Sequence, residues 1–491
     1  MPPLPPHRTA PAPHRRWWIL GVLSTAQLLV VLDGTVMNIA LPSAQADLGF
    51  SDGGRQWIVT AYALAFGSFL LLGGRIADLF GRRAAFLAGL AGFAGTSALA
   101  GVAGGFGVLV AARAGQGLSS ALLAPAALSL VGITFTEPGE RATAFGVWGA
   151  AAGAGGAVGM PLGGVLTQYL GWRWAMYANT VVAGLALAAG ALLLARDRHP
   201  RASRLDVPGT LLVGTGLFCL VYGFAAAGSH PWSAVATWGF LAAASVLLTA
   251  FAGWQTRARH PLLPPRVVLD RDRAASLIAL LQTSSAVFGV FLFGTYYLQR
   301  SLGYGPAATG LAYLPMIAAL IATSPLATRV LLPRLGPRTV IAAGAALAAS
   351  GLLLLGSLGL DSPYPTAVLP ALVLAGAGLG TIITATTSLA TLGVAPDDSG
   401  VASATVNTMQ YAGGSIGVAL LTTVSTATAA ARLAGRAGPD AAARAQADLA
   451  GYHAAFRCLA AAFAVCLLVA VPLYRRSPTA RRTDAAPERA G

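Results

Sequence analysis

Runs of 18 to 27 residues with few or no charges recur along the chain, separated by short polar or Gly/Pro-rich breaks. A helix rises 1.5 Å per residue, so each run is long enough to cross roughly 30 Å of hydrocarbon. The pattern predicts fourteen spanning helices, over residues 17–41, 56–73, 84–104, 106–132, 143–167, 173–195, 207–228, 233–253, 274–298, 307–331, 339–359, 366–392, 400–425 and 453–473. Only Gly104 and Gly105 mark the turn between the third and fourth. Further spans follow the first run directly and no A-x-A-like site closes it, so a secretory leader is not expected.

Composition turns this pattern into a statement about solvent. Apolar residues make up 56% of the 491 positions, charged residues 10%, and the mean hydropathy is +0.68. A water-soluble chain carries roughly a quarter charged residues. This one cannot cover itself for water, which excludes a soluble enzyme or a disordered scaffold and makes lipid the solvent. The formal charge is +15, and all 32 basic residues are arginine. With a cytoplasmic N-terminus, 24 of the 32 arginines fall in or at the edge of inside segments, seven on the outer side, and one, Arg113, deep within a span. The positive-inside rule then predicts cytoplasmic termini in a plasma membrane, with anionic inner-leaflet lipid rather than nucleic acid as the partner of the basic excess. The exception is the long 426–452 loop with Arg432, Arg436 and Arg444, an Ala-rich segment that predicts a short interfacial helix. Cys219, Cys458 and Cys466 all lie in apolar stretches, so no disulfide framework is expected.

Weak internal symmetry is a common signature of transporters. GRIADLFGRR (74–83) follows the second span and RVLLPRLGPR (329–338) follows the tenth. At an offset of 255, Gly81 matches Gly336 and Arg83 matches Arg338, while Pro333 replaces Asp78. Spans two and ten are equivalent only if two helices were inserted between six-helix halves. The predicted organisation is a tail (1–16), a six-helix bundle (17–195), a linker with an inserted hairpin (196–254), a second six-helix bundle (255–473) and a basic tail (474–491).

Several motifs resemble those of the major facilitator superfamily, and within it the fourteen-span drug:proton antiporters. LDGTVMNIALP (32–42) resembles that family's first-helix signature, and GRIADLFGRR the superfamily's loop motif. RAGQGLSSA (113–121) resembles the intramembrane Arg followed by Gln-Gly, GWRWAMYAN (171–179) the start of the sixth helix, and YYLQRSLGYGPAATGLAYLP (296–315) the ninth-to-tenth connection. The resemblance covers about residues 17–425. It implies an all-α polytopic fold of fourteen helices, and a monomer that exports amphipathic or cationic small molecules by alternating access, with the proton as coupling ion. The fifth-helix antiporter motif is altered. Gly149, Gly153, Gly155, Gly159, Gly163 and Gly164 are kept, but Gly156 stands where the first proline is expected and Pro161 sits one place late. In the family that motif is held to limit leak.

Physical chemistry singles out the same residues. Asp33 is the one acid deep within a predicted span, and an unpaired carboxylate there costs roughly 3 kcal/mol or more. It reads either as a proton or cation site or as a structural cap through Thr35 and Asn38. By helix rise, Asp33 and Arg113 lie roughly 24 and 28 Å from the cytoplasmic ends of their helices. Similar depth predicts a direct or water-bridged pair, working in proton coupling or anchoring helix packing, with Gln116 on the same face. The loop motif implies a conformational latch around Gly74, Asp78 and Gly81, with Arg82 or Arg83 meeting Asp397 or Asp398. A basic loop that merely sets topology is the alternative. Gly155, Gly159 and Gly163 repeat every fourth residue and predict a close helix contact. Asn38, Tyr62, Gln116, Gln282, Tyr296, Asn407, Met409 and Gln410 are candidate lining of a substrate cavity, with ordinary packing the alternative for each. The six histidines have no metal-ligand spacing, and a chain without lysine has no P-loop, so neither metal nor nucleotide is expected.

Overall fold

A computed structural model describes residues 13–135, 137–195, 206–227, 235–258, 262–263, 268, 270–392, 394, 399–434, 440–469 and 471–474. They form an all-helical protein, with α1 (Pro13–Leu48), α2 (Asp52–Phe80), α3 (Arg82–Gly101), α4 (Phe106–Thr134), α5 (Pro138–Tyr169) and α6 (Trp172–Leu193) followed by the pair α7 (Val207–Ala227) and α8 (Val235–Gln255). The rest comprises α9 (Arg271–Tyr296), a short α10 (Pro306–Ala312), α11 (Leu314–Leu326), α12 (Leu332–Leu355), α13 (Leu369–Thr391), α14 (Ser399–Leu433) and α15 (Ala441–Val469). Among the described residues, 11 helical stretches are long and apolar enough to cross a membrane. One of them, Pro306–Leu355, is 50 residues long.

Local chemistry sets the breaks. Ser51 caps α2 by accepting from the Gly54 amide at 3.2 Å, and Asp270 caps α9 by accepting from the Arg273 amide at 3.2 Å. Gly81 has φ 98° at the α2–α3 turn, and Gly336 has φ 76° inside the 50-residue stretch. Both occupy the left-handed region that a side chain avoids. These two glycines are the pair aligned by the 255-residue offset, so the repeat is one of backbone conformation.

Helix ends depart from the apolar runs. First and second helices extend to Leu48 and Phe80, beyond residues 41 and 73. In place of a 426–452 loop with its own short helix, α14 runs on to Leu433 and α15 begins at Ala441. Ala and Arg are strong helix formers, so the spanning helices continue past their hydrophobic windows. His453 and Arg457, at the start of the predicted last span, bond the carbonyls of Leu358 and Gly356 after α12.

Helices α1 to α6 pack chiefly on one another, with α2 on α4 and α1 on α5, and α9 to α15 do the same, with α12 on α13 and α9 on α14. The two groups meet through α5 with α10, α2 with α14, and α1 with α9. Helix α7 lies against both α2 and α14, whereas α8 packs on α7. Asp206, before α7, accepts from Trp254 Nε1 at 2.7 Å and Gln255 Nε2 at 2.9 Å, which ties the hairpin shut.

Candidate functional site

Four side chains from three helices meet at the middle of α1, α4 and α6. Asp33 is fully buried and Arg113 is 2% exposed; one Arg113 terminal nitrogen lies 2.5 Å from Asp33 Oδ2. The same nitrogen donates to Gln116 Oε1 at 2.7 Å, and Arg113 Nε donates to the Ile58 carbonyl at 3.1 Å. Gln116 Nε2 donates to Asp33 Oδ1 at 3.1 Å and to Ser97 Oγ at 2.8 Å. Asn179 Nδ2, from α6, donates to Asp33 Oδ1 at 2.7 Å. The guanidinium also lies 4.6 Å from the centre of the Tyr62 ring, whose hydroxyl donates to the Val30 carbonyl. A buried carboxylate of this kind is tolerable because its charge is paired and both oxygens accept hydrogen bonds.

Among the described residues Asp33 makes no hydrogen bond to Thr35 or Asn38, the partners expected for a structural cap, and α1 runs on to Leu48. The Thr35 and Asn38 side chains donate back to the Leu32 and Gly34 carbonyls of their own helix. Asn179 is the member of the cluster missed in the sequence, although it closes the 171–179 motif. An Asn in an apolar helix carries no charge to draw attention, so only its contact with Asp33 reveals it.

Beside the cluster is a cavity of about 280 Å³, just under the ~300–1,000 Å³ usual for small-molecule sites. Its lining comes from both helical groups and is mostly apolar: Phe288 and Phe291 of α9, Ile317 and Leu320 of α11, and Tyr411 of α14 face α1. Asn38, Tyr62, Gln410 and Arg113 are the predicted residues that line it. Asp33 is not part of the lining, so the ionic group turned to the cavity is the guanidinium. Tyr411 ties the wall to α2, its ring 4.0 Å from that of Phe66.

The other predicted cavity residues lie elsewhere. Gln116 is spent on the buried cluster. Tyr296 is fully buried on the seam between the two helical groups, donating to Gln45 of α1 at 2.6 Å. Its ring has Arg55 at 4.4 Å and Arg300 at 4.9 Å, and Arg300 also donates to Gln45. Met409 packs near Leu277, Leu280 and Val406. Gln282 and Asn407 sit half-buried in α9 and α14, outside the cavity lining. Arg55, only 3% exposed, escaped notice because it falls one residue before its apolar run.

The described residues of both remaining motifs make helix contacts. A Cβ added at Gly155 or Gly163 would come within 2.9 Å of the Leu28 carbonyl oxygen or of Val36 Cα, and one at Gly159 would strike Thr35 Oγ1. The stripe therefore seats α5 on α1. Gly164 instead faces the backbone of Pro306 and Ala307, and Pro161 lies against Gly310, so the end of α5 also contacts the second helical group. Gly149 and Gly153 lie earlier in α5. At the opposite end, Gly74 packs on Pro125 and Arg83 donates to the Ala191 carbonyl at 2.8 Å; Arg82 opens α3. Asp397, Asp398 and the Asp78 side chain lie outside the described residues.

Two bundles of long apolar helices around a shared cavity, with a buried acid–base pair at its wall, define a membrane transporter. Residues 23–418 match the Major Facilitator Superfamily, and the chain belongs to that family. It is 51% identical over 387 residues to puromycin resistance protein pur8 of Streptomyces alboniger, covering 78% of this chain and 76% of that one. It is 38% identical to the cephamycin export protein CmcT of Amycolatopsis lactamdurans, covering 77% and 79% of the two chains. Identity to the tetracenomycin C resistance and export protein of Streptomyces glaucescens is 35%, covering 76% and 69%. In fold it resembles the inward-facing, unoccupied crystal structure of a bacterial homologue of the human lysosomal transporter Spinster, with TM-score 0.66, 17% identity and coverage of 95% and 100%.

Proposed function

We propose that this protein is a proton-driven antiporter that exports antibiotic-like small molecules across the cytoplasmic membrane. The observation that carries the reading is the Asp33–Arg113 pair, buried yet placed at the wall of the central cavity. A carboxylate so deep in a membrane protein is costly, and reversible protonation gives it a use. Proton entry and substrate exit then alternate through one cavity shared by the two helical groups. Relatives named for resistance to, or export of, antibiotics support the direction of transport.

The membrane arrangement we infer has fourteen crossings. The Pro306–Leu355 stretch, roughly 75 Å at the helical rise, accounts for two, divided at Gly336. Helices α2 and α5, 29 and 32 residues long, add one each. The arginine asymmetry supports cytoplasmic termini. The seam around Tyr296 is then the outer gate, and the state described is closed on that side. The hairpin α7–α8 contributes nothing to the cavity lining among the described residues, consistent with an insertion between two six-helix halves.

A second reading, a dedicated exporter of one metabolite made by the host, is favoured by relatives named for single antibiotics. Growth of an efflux-deficient host expressing the protein, against a panel of unrelated antibiotics, separates the two. Resistance to several classes that vanishes when the pH gradient is collapsed supports the multidrug antiporter. Resistance confined to one class supports the dedicated exporter. Sensitivity throughout, with normal expression in the membrane, contradicts both.

A further inference from the structure

The three hydrogen-bond partners of Asp33 differ in how firmly each is held. Oδ2 faces Arg113, a group with donors and no acceptor. Oδ1 faces two amides, those of Gln116 and Asn179. Gln116 is fixed at both ends, because its Oε1 accepts from Arg113 while its Nε2 donates to Asp33 and Ser97. Reversing it would turn an NH₂ group against a guanidinium. Asn179 is fully buried and fixed at one end only, its Oδ1 having no hydrogen-bond partner among the described residues. A buried amide oxygen left unpaired is destabilising, so its retention calls for an explanation.

We propose that Asn179 is a positioning residue that serves Asp33 in both protonation states, rotating its amide by a half-turn when the carboxylate takes a proton. The inference rests on the reading of Asp33 as proton carrier. Ionised, Asp33 only accepts hydrogen bonds, and Asn179 Nδ2 supplies one. Protonation forms an O–H bond at Oδ1, on the side away from the guanidinium, and that O–H needs an acceptor. The unpartnered Oδ1 of Asn179 takes the place of Nδ2 and becomes that acceptor. On release the O–H bond breaks, the proton leaves to water, and the amide turns back. The other groups around the pair are Arg113 itself from α4, Tyr62 from α2, whose ring lies against the guanidinium, and Tyr411 from α14, which lines the cavity with Arg113. From α3 comes only the Ser97 hydroxyl, through Gln116. Of these, Arg113 and the carboxylate itself carry the charge that changes balance. Without a reversible partner the protonated state is left short of one hydrogen bond.

The chain contains only three asparagines, Asn38, Asn179 and Asn407, so carbon-13 labelling of the asparagine side-chain amide gives a readable infrared signal. The full-length protein in lipid vesicles is compared between acid and alkaline buffer by difference spectroscopy. The expected spectrum gains a protonated-carboxyl band that Asp33→Asn removes. It also shows a label-sensitive amide band that Asn179→Thr removes and Asn407→Ser keeps. Proton-driven efflux falls about tenfold or more in Asn179→Leu, the factor one charge-assisted hydrogen bond is worth. In Asn179→Thr, whose hydroxyl turns freely to donate or accept, efflux stays within about threefold of wild type. A carboxyl band with no accompanying amide change, or an amide change that survives Asn179→Thr, overturns the proposal while leaving Asp33 as carrier. Absence of the carboxyl band from wild type sinks the proton reading and this inference together.

Discussion

A guanidinium that is 2% exposed must find partners for its donors inside the protein, and Arg113 finds a carboxylate, a side-chain amide, a backbone carbonyl and a ring face. Removing one partner of a buried pair strands the other, at a cost of about 3–5 kcal/mol. Arg113→Ala should therefore lower thermal stability sharply in detergent and abolish coupled efflux. Arg113→Lys should recover part of the stability, since a compact ammonium keeps the charge but cannot reproduce the planar fork. Equal melting temperatures for wild type and Arg113→Ala would show that the pair contributes nothing to the fold. At the proposed outer gate, Tyr296→Phe removes the hydrogen bond to Gln45 and keeps the ring between Arg55 and Arg300. One such bond is worth roughly 1 kcal/mol, so the closed-to-open ratio should fall about fivefold. Rates of cysteine labelling from the outer side report it. Asp33 and Arg113 were legible because charged side chains are rare in apolar runs, whereas Asn179 and Arg55 were not. The destinations of the cavity candidates were not legible either, since Tyr296, Gln116 and Met409 look alike as polar or adaptable residues within a span until their neighbours are known.

Helix identity was the most legible level, and helix ends the least. An apolar window reports where lipid begins and ends, whereas a helix stops where its backbone must turn, as at Gly81 and Gly336. That difference explains why α14 and α15 overrun their predicted spans. The α5 glycines make a sharper test, because Gly163 of the stripe and Gly156 outside it face different surroundings. At Gly163 an added methyl meets Val36 Cα at 2.9 Å, while Gly156 has nothing within 4 Å and borders the cavity. Gly163→Ala should separate α1 from α5 and cost about 1–3 kcal/mol, seen as a lower unfolding temperature. Gly156→Ala should change stability by less than about 0.5 kcal/mol. Equal effects of the two substitutions would mean that the stripe does not seat α5 on α1.

At the scale of the whole molecule, the two helical groups share a cavity whose charged wall belongs to one group and whose aromatic wall belongs largely to the other. On the proposed reading, transport needs the proton on Asp33 and the substrate in the cavity to influence each other, and Arg113, which pairs with Asp33 and lines the cavity, links the two. In that scheme a substrate entering beside the guanidinium would weaken or strengthen its hold on the carboxylate, and this differential interaction would couple the two sites. Membrane class and family were written into the whole sequence, in its apolar runs and five separate motifs. The coupling of cavity to carboxylate required the fold, because residues 33, 113, 179 and 411 come together only through packing. The most direct test is substrate-induced proton release from purified protein in liposomes. Wild type should release protons on adding substrate, and Asp33→Asn should release none while remaining folded and still binding substrate. If Asp33→Asn exchanges protons for substrate at the wild-type ratio, the proton carrier lies elsewhere and the central assignment is wrong.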